Sequence, residues 1–215
     1  MTRAPRHRSQ ELTIDGPAGQ LEALLDEPAG SVSSVAVICH PHPLHRGTMR
    51  NKVAHTLARS FNQRGMRAVR FNYRGVGASS GSFGELAGET EDALAVVEWA
   101  RKRWPGTAVH MGGFSFGAIV ALRVALSIDA AALVTVAPPV ERLDTGLGEP
   151  GCPWLIVQGG SDEIVDCEAV LEWVNRLAPG PRLVVLDGVG HFFHGRLSEL
   201  RSIVVEYLAS LAGEE

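Results

Sequence analysis

Residues 108–126 read AVHMGGFSFGAIVALRVAL, and this stretch decides the fold because two kinds of secondary structure meet in it at a glycine-flanked serine. The apolar run Ala108–Gly112 is typical of a buried strand, and Ala118–Leu126 is typical of a helix. Between them, GFSFG fits the GxSxG pattern, in which a sharp strand-to-helix turn projects the serine hydroxyl above the sheet. Ser115 is therefore the candidate nucleophile. A glycine-rich turn without chemistry is the alternative on this pentapeptide alone.

Outward from this turn, short apolar runs alternate with segments of helical periodicity along the chain. The alternation is typical of an α/β fold whose sheet is covered by helices on both faces. Glycines and a proline at positions 16–19 predict a hairpin between the first two strands, whereas intervening helices predict parallel pairing of the later ones. We expect a mostly parallel sheet of about eight strands with an antiparallel N-terminal edge. The predicted strands are Leu12–Asp15, Leu21–Leu25, Val35–Cys39, Ala68–Asn72, Ala108–Gly112, Ala132–Val136, Trp154–Gln158 and Leu183–Leu186.

The composition is that of one globular domain, with 215 residues, 45% hydrophobic content and 20% charged residues. We expect a flexible N-terminal arm over residues 1–10 and a single domain over residues 11–215. The net charge of −4 is not gathered into basic blocks, which argues against a nucleic-acid partner. No apolar run reaches the roughly 18 residues of a membrane-spanning helix, so no membrane partner is predicted. Three scattered cysteines do not make a disulfide framework, so we expect a cytoplasmic protein with reduced thiols.

A serine hydroxyl needs a base within hydrogen-bond reach and a carboxylate that orients this base. Later loops supply both, because Asp162 follows the seventh predicted strand and His191 follows the last one on a glycine-flanked loop. Ser115, Asp162 and His191 follow one another along the chain in an order that is known for a serine nucleophile, its acid and its histidine base. Three further carboxylates compete for the role of the acid: Glu163, Asp166 and Asp187. Asp162 is favoured because it lies nearest the carboxyl end of its strand.

Three histidines lie within six residues of the loop after the third predicted strand: His40, His42 and His45. A metal site is not predicted there, because no carboxylate or cysteine pattern completes a ligand set. An oxyanion loop is the better interpretation, since acyl transfer requires backbone N–H groups aimed at the developing charge. We expect one N–H from Phe116, directly after the nucleophile. We expect the second from His42, with Leu44 as the alternative, because the prolines at positions 41 and 43 have no N–H.

The segment NYRGVGASSG, residues 72–81, also follows a strand, and its glycines could suggest a dinucleotide-binding loop. Its spacing is GxGxxxG instead of GxGxxG, and it follows the fourth predicted strand instead of the first. We interpret the segment as a structural turn beside the site, in which Arg74 pairs with a carboxylate. This interpretation argues against a nucleotide-binding oxidoreductase, and no cofactor is predicted.

Four motifs occur together: CHPHPL at 39–44 with GTM and NKV after it, FNYRGVG at 71–77, GFSFG at 113–117 and GH at 190–191. In this combination the chain resembles, from about residue 12 to 211, the small bacterial serine α/β-hydrolases that lack a cap domain. The resemblance implies an α/β-hydrolase fold and carboxylesterase-like activity. It also implies Ser115 as nucleophile, Asp162 as acid and His191 as base, with no cofactor. The sequence departs from this pattern at Arg46, where we expect a glycine.

The length of one connecting segment also predicts that a cap is absent. Only residues 137–153, with four prolines among them, separate the predicted strands Ala132–Val136 and Trp154–Gln158. Such a segment can form a turn of helix at most. The open site is expected to bind a small acyl ester between apolar side chains: Leu44, Phe116, Val140 and Phe192.

Other functions remain compatible with the same residues. The same groups could cleave thioesters, amides or peptides, or transfer the acyl group to another acceptor. A non-catalytic binding protein on this fold is the rival from another class. The sequence does not predict the physiological substrate or the oligomeric state.

Overall fold

The computed structural model describes residues 8–32, 34–143 and 148–213, and these form one sheet with helices on both faces. The strands in the described ranges are β1 (Arg8–Gly16), β2 (Gly19–Glu27), β3 (Ser34–Cys39), β4 (Met66–Phe71), β5 (Ala108–Phe114), β6 (Ala132–Val136), β7 (Trp154–Gly159) and β8 (Arg182–Leu186). The helices are α1 (Lys52–Gln63), α2 (Ala87–Arg103), α3 (Phe116–Ser127), α4 (Cys167–Val174) and α5 (Leu197–Leu211). Two short 3-10 turns, Pro43–His45 and Val140–Arg142, lie in the loops after β3 and β6.

The strands lie in the order β1-β2-β4-β3-β5-β6-β7-β8. The β1–β2 and β2–β4 pairs are antiparallel, and the pairs from β4 to β8 are parallel. The predicted α/β fold with an antiparallel N-terminal edge is therefore confirmed. Because the parallel strands end at the same edge of the sheet, the loops after β3, β4, β5, β6, β7 and β8 share that edge.

All eight predicted strands are present, and the differences are confined to their ends. The largest lies at β1, which begins at Arg8 instead of Leu12, while β4 begins two residues earlier at Met66 and β5 continues two residues further to Phe114. Met66 pairs with Ser34, and Phe114 pairs with Val136, so neighbouring strands supply the ladder that extends each element. Such pairing depends on contacts between residues that are distant in sequence. A local apolar pattern does not predict these contacts.

The N-terminal arm predicted for residues 1–10 overlaps β1. Residues 8–10 belong to this strand, where Arg8 pairs with Glu27 and Gln10 with Leu25. Residues 1–7 lie outside the described residues. The polar composition of residues 8–10 does not indicate a strand, because these residues are held in β1 by the antiparallel ladder with β2.

Two apolar clusters cover the two faces of the sheet. One joins the sheet to α2 and α3, and the other joins it to α1 and α5. Within the described residues, the segment between β6 and β7 adds a single 3-10 turn and no α-helix, so it contributes no cap over the sheet edge. None of the helices in the described ranges has the length and apolar content needed to cross a lipid bilayer.

A buried ion pair connects the antiparallel edge of the sheet to the loop before α1. Arg70 on β4 donates to Asp26 on β2, with an Nε–Oδ2 distance of 2.7 Å and an Nη2–Oδ1 distance of 3.1 Å. The Arg70 side chain is 5% exposed and that of Asp26 is fully buried. Arg70 Nη1 also donates to the carbonyl of Met49, 3.0 Å away. The ion pair therefore helps to hold the segment that carries the histidine-rich loop.

We predict that Asp26→Ala lowers the free energy of unfolding by about 3–5 kcal/mol, because the guanidinium of Arg70 would stay buried without its counter-charge. Glu11→Ala is the matched control. It removes the exposed Glu11–Arg50 pair at 3.0 Å, and should cost less than about 1 kcal/mol. Urea unfolding followed by circular dichroism measures both. Equal losses in the two variants would contradict the role given to the buried pair.

Candidate active site

The backbone at Ser115 has the strained geometry expected of a nucleophile turn. Its φ is 55° and its ψ is −122°, between the end of β5 and the first residue of α3. The Ser115 N–H donates to the carbonyl of Val136 on the neighbouring strand, 2.8 Å away. A Cβ on Gly113 would lie 2.0 Å from the carbonyl oxygen of Gly117, and a Cβ on Gly117 would lie 2.3 Å from that of Cys39. Both glycines are therefore required for the close approach of α3 to β3 and β5.

The structure brings Ser115, His191 and Asp162 together in one hydrogen-bonded chain. His191 Nε2 lies 3.1 Å from Ser115 Oγ. His191 Nδ1 lies 2.8 Å from Asp162 Oδ2 and 3.1 Å from Oδ1. The side chains of His191 and Asp162 are 3% and 0% exposed, so water is largely excluded from the link between them. The arrangement can pass a proton from the serine to the imidazole and hold the resulting cation against a carboxylate.

The Asp162 carboxylate is fixed by backbone donors as well as by His191. Its Oδ1 accepts the N–H groups of Ile164 at 2.9 Å and Val165 at 2.8 Å. Burial alone would raise the pKa of Asp162, but the hydrogen bonds from His191, Val165 and Ile164 outweigh it, so this pKa lies below its usual range. Asp162 is therefore a carboxylate at neutral pH. Gln158 Nε2, 3.2 Å from Oδ2, is a further donor that the sequence patterns did not indicate.

The rival carboxylates have other contacts. Glu163 Oε2 accepts the backbone N–H of His191 at 3.1 Å and so fixes the histidine loop, a role without a sequence signal. Asp166 caps the N-terminus of α4 by accepting the N–H of Glu168 at 2.9 Å. Asp187 is exposed in the turn after β8. Among the described residues, Asp162 is the carboxylate that contacts the His191 ring.

The two predicted backbone donors come from different elements that line the cavity beside Ser115, the start of α3 and the loop after β3. Phe116 is the first residue of α3, where a backbone N–H has no acceptor within the helix. The His42 carbonyl accepts the N–H groups of His45 and Gly47, each at 3.0 Å, which closes the loop into a tight turn. Arg46 has a φ of 62°, which explains why glycine is the residue expected there.

Leu44, the alternative source of the second donor, is already engaged. Its N–H donates to Nδ1 of the His42 ring, 3.3 Å away. Burial, together with nearby His45 and Arg142, lowers the pKa of His42, so this ring is neutral and can accept. In the part of the chain that the structure describes, the backbone N–H groups of His42 and Phe116 have no hydrogen-bond acceptor. This favours His42 over Leu44 as the source of the second oxyanion donor.

His40 is a buried structural link. Its Nδ1–H donates to the Pro41 carbonyl at 2.7 Å, and its Nε2 accepts the backbone N–H of Tyr73 at 3.3 Å. Burial lowers the pKa of His40 to about 3, so the ring is neutral and both of its nitrogens are used. The described residues contain no group of three histidine, cysteine or acidic side chains that could hold a metal ion.

The segment at 72–81 supports the same loop from β4. Asn72 Oδ1 accepts the N–H of Met49 at 2.8 Å, and Tyr73 Oη donates to the His40 carbonyl at 3.3 Å. Arg74 pairs with Asp92, with an Nη2–Oδ1 distance of 2.8 Å. The prediction that Arg74 pairs with a carboxylate in a structural turn is therefore confirmed.

A cavity of about 170 Å³ opens beside Ser115. Its walls come from the loop after β3, the start of α3, the turn after β6 and the start of α4: His42, His45, Ser115, Phe116, Pro139, Val140, Glu141, Arg142, Ile164, Val165, Asp166 and Ala169. Phe116 and Val140 are among the expected wall residues. Leu44 and Phe192, which we also expected, do not line the cavity. Leu44 is 66% exposed, and Phe192 instead packs against the rings of Phe114 and His191.

Comparison with known proteins places this chain in a family. A sequence model of the X-Pro dipeptidyl-peptidase family (S15) matches residues 15–155. An uncharacterized protein of Rickettsia prowazekii is 30% identical over 212 residues, which cover 94% of this chain and 89% of the relative.

Two solved structures match the fold closely. An α/β serine hydrolase homologue from Coxiella burnetii has a TM-score of 0.91 and 44% identity, over 96% of this chain and 100% of that one. A serine hydrolase without lid from Xanthomonas campestris has a TM-score of 0.89 and 39% identity, over 97% of each chain.

The fold and these relatives define a serine hydrolase of the α/β class. The chain belongs to the S15 family, and the solved structures place it among α/β serine hydrolases without a lid. The resemblance to serine hydrolases that lack a cap domain is therefore confirmed.

We predict that Gly117→Ala slows labelling by a fluorophosphonate probe at least about 100-fold, since the new Cβ must push α3 away from the Cys39 and His40 carbonyls and misplace the Ser115 turn. Gly151→Ala is the control, because its Cβ would meet no atom within 4 Å. The second-order labelling rate measures the effect, and circular dichroism verifies folding. Wild-type labelling of Gly117→Ala would show that the close approach is not needed.

Proposed function

We propose that the protein hydrolyses small carboxylic esters through an acyl-enzyme on Ser115. The observation that carries the proposal is the continuous hydrogen-bonded chain from Ser115 Oγ through His191 to Asp162, at the mouth of a cavity lined by apolar and polar residues. Phe116 at the start of α3 and His42 in the loop after β3 line the same cavity as Ser115, so their backbone N–H groups are our candidates for the oxyanion donors.

In the first step, His191 Nε2 accepts the proton of Ser115 as Oγ attacks the ester carbonyl carbon. The N–H groups of Phe116 and His42 donate to the oxyanion of the tetrahedral intermediate. Asp162, a carboxylate at neutral pH, accepts from Nδ1–H and stabilises the imidazolium. His191 then donates its proton to the leaving alcohol as the C–O bond breaks. A water molecule, deprotonated by His191, releases the acid and restores Ser115. No step requires a metal or cofactor.

A peptidase is the second candidate, because the S15 family model bears the name of a dipeptidyl-peptidase. An enzyme of that kind must hold a free amino terminus, and two acidic residues, Glu141 and Asp166, are among those that line the cavity. Hydrolysis of Xaa-Pro-p-nitroanilides faster than of p-nitrophenyl esters would favour this candidate.

Thioester cleavage and acyl transfer to another acceptor use the same groups, whereas a non-catalytic binding protein would show no probe labelling at all. A small-molecule substrate and a cytoplasmic location stay predictions.

We predict that Ser115→Ala abolishes hydrolysis of p-nitrophenyl butyrate and leaves the thermal unfolding midpoint within a few degrees of wild type. The substitution removes the attacking oxygen and little packing. Turnover assays and differential scanning fluorimetry measure the two effects. Undiminished turnover by the folded variant would refute the assignment of Ser115.

We predict that Asp162→Asn lowers kcat on the order of 10⁴-fold, because an amide favours the wrong tautomer of His191. Asp166→Asn should lower kcat less than about tenfold, since asparagine also caps a helix N-terminus well. Steady-state kinetics on one ester compare the two variants. The reverse ranking would identify Asp166 as the acid.

We predict that kcat/KM rises from acetyl to butyryl esters and then levels off. Each buried CH₂ contributes about 0.8 kcal/mol, or roughly fourfold, but only while a wall is available to bury it. A series of p-nitrophenyl esters from acetyl to dodecanoyl measures the profile. A steady rise to dodecanoyl would show that additional apolar cover exists and that the site is not open.

A further inference from the structure

We infer that the site divides an ester unequally: the acyl group enters the cavity, where the small side chain of Ala169 leaves room for the acyl chain, and the leaving alcohol lies outside against Phe192. This inference rests on the proposed function, because it assigns the two halves of the substrate to two sides of Ser115. Ala169 sets the selectivity for the acyl half, and Phe192 sets the selectivity for the alcohol half.

The direction of proton transfer determines on which side of Ser115 the acyl half and the alcohol half of the ester lie. The leaving oxygen must receive a proton from His191 Nε2, so the alcohol lies on the His191 side of Ser115. The carbonyl oxygen must point toward the N–H groups of Phe116 and His42. The cavity is lined by Ser115, Phe116 and His42, but His191 is absent from its lining. Among the described residues, the enclosed space therefore lies on the acyl side.

The cavity has both polar and apolar walls, and three of its apolar side chains come from three different elements. Phe116 at the start of α3 and Val140 in the turn after β6 are 5% and 8% exposed and form fixed apolar walls. Ala169 lies on the first turn of α4 and lines the same cavity with only a methyl group. Among the wall residues, Ala169 therefore leaves the most room to add volume, and a larger side chain there would shorten the space for the acyl chain.

On the side of the base, Phe192 is an exposed aromatic ring that also contacts the ring of His194, with centroids 5.9 Å apart. Phe192 follows the base directly and meets the His191 ring edge-on, with centroids 5.1 Å apart and planes at 88°. Phe193 is fully buried with a φ of 52°, and its N–H donates to the Gly190 carbonyl at 3.0 Å. This anchored turn leaves Phe192 39% exposed beside the base. An alcohol that carries a ring can stack on Phe192, whereas an alkyl alcohol has no ring with which to stack.

The acyl assignment is tested with acetate and butyrate esters of ethanol and benzyl alcohol, followed by acid release in a pH-stat. In Ala169→Phe, kcat/KM should fall at least tenfold more for the butyrates than for the acetates, equally for both alcohols, since about two buried CH₂ groups are lost. Leu171→Phe, on the same helix and 37% exposed outside the cavity, should keep the wild-type ratio. An equal loss for both acyl groups, or a loss that follows the alcohol, would overturn the assignment.

The alcohol assignment uses the same four esters. In Phe192→Ala, KM should rise about threefold to tenfold more for benzyl than for ethyl esters, equally for both acyl groups. Phe192→Tyr, which keeps the ring, should restore the wild-type preference. A fall in kcat common to all four esters would mean that Phe192 only supports His191, and would overturn its role in selectivity.

The proposed function and this inference fail in different ways. If the wild-type protein hydrolyses none of the four esters, the proposed function fails. If hydrolysis occurs and depends on Ser115, but the two variants change selectivity in the wrong half of the ester, only the division of the substrate is overturned.

Discussion

The left-handed backbone of Ser115 is the constraint on which the rest of the site depends. A non-glycine residue in this conformation costs about 1–3 kcal/mol and persists only where the surrounding structure over-determines it. Here, Gly113 and Gly117 allow the backbone of α3 to touch the ends of β3 and β5, and any side chain at either position would collide with a carbonyl. The same close approach that strains Ser115 brings the start of α3 against the loop that carries His42.

The loop after β3 is held by buried polar groups that satisfy one another. Met49 is fixed on both sides, because its N–H donates to Asn72 and its carbonyl accepts from Arg70. His40 joins the backbone of Pro41 to that of Tyr73 and stays neutral because burial lowers its pKa. A buried polar network of this kind rigidifies a loop only when its members are paired. Pre-organised donors then meet an oxyanion without further rearrangement.

The sequence patterns predicted the eight strands and the chain order of the candidate nucleophile, acid and base, because strand periodicity and the GxSxG turn are local signals. They did not predict which side chains line the cavity. Leu44 and Phe192 lie next to site residues in sequence, but the direction of a side chain depends on the turn that carries it. The buried Phe193 turns Phe192 away from the cavity, and the ring of His42 binds the N–H of Leu44. Likewise, Gln158 and Glu163 contact Asp162 and the His191 backbone through tertiary packing that no spacing encodes.

We propose above all that the strained turn presents Ser115 as an activated nucleophile. Peptide mapping by mass spectrometry after reaction of the folded wild-type protein with a fluorophosphonate tests it most directly. The account predicts one phosphonate adduct per chain, on the peptide that contains Ser115. An adduct on a different residue, or an intact mass that does not change, would contradict it.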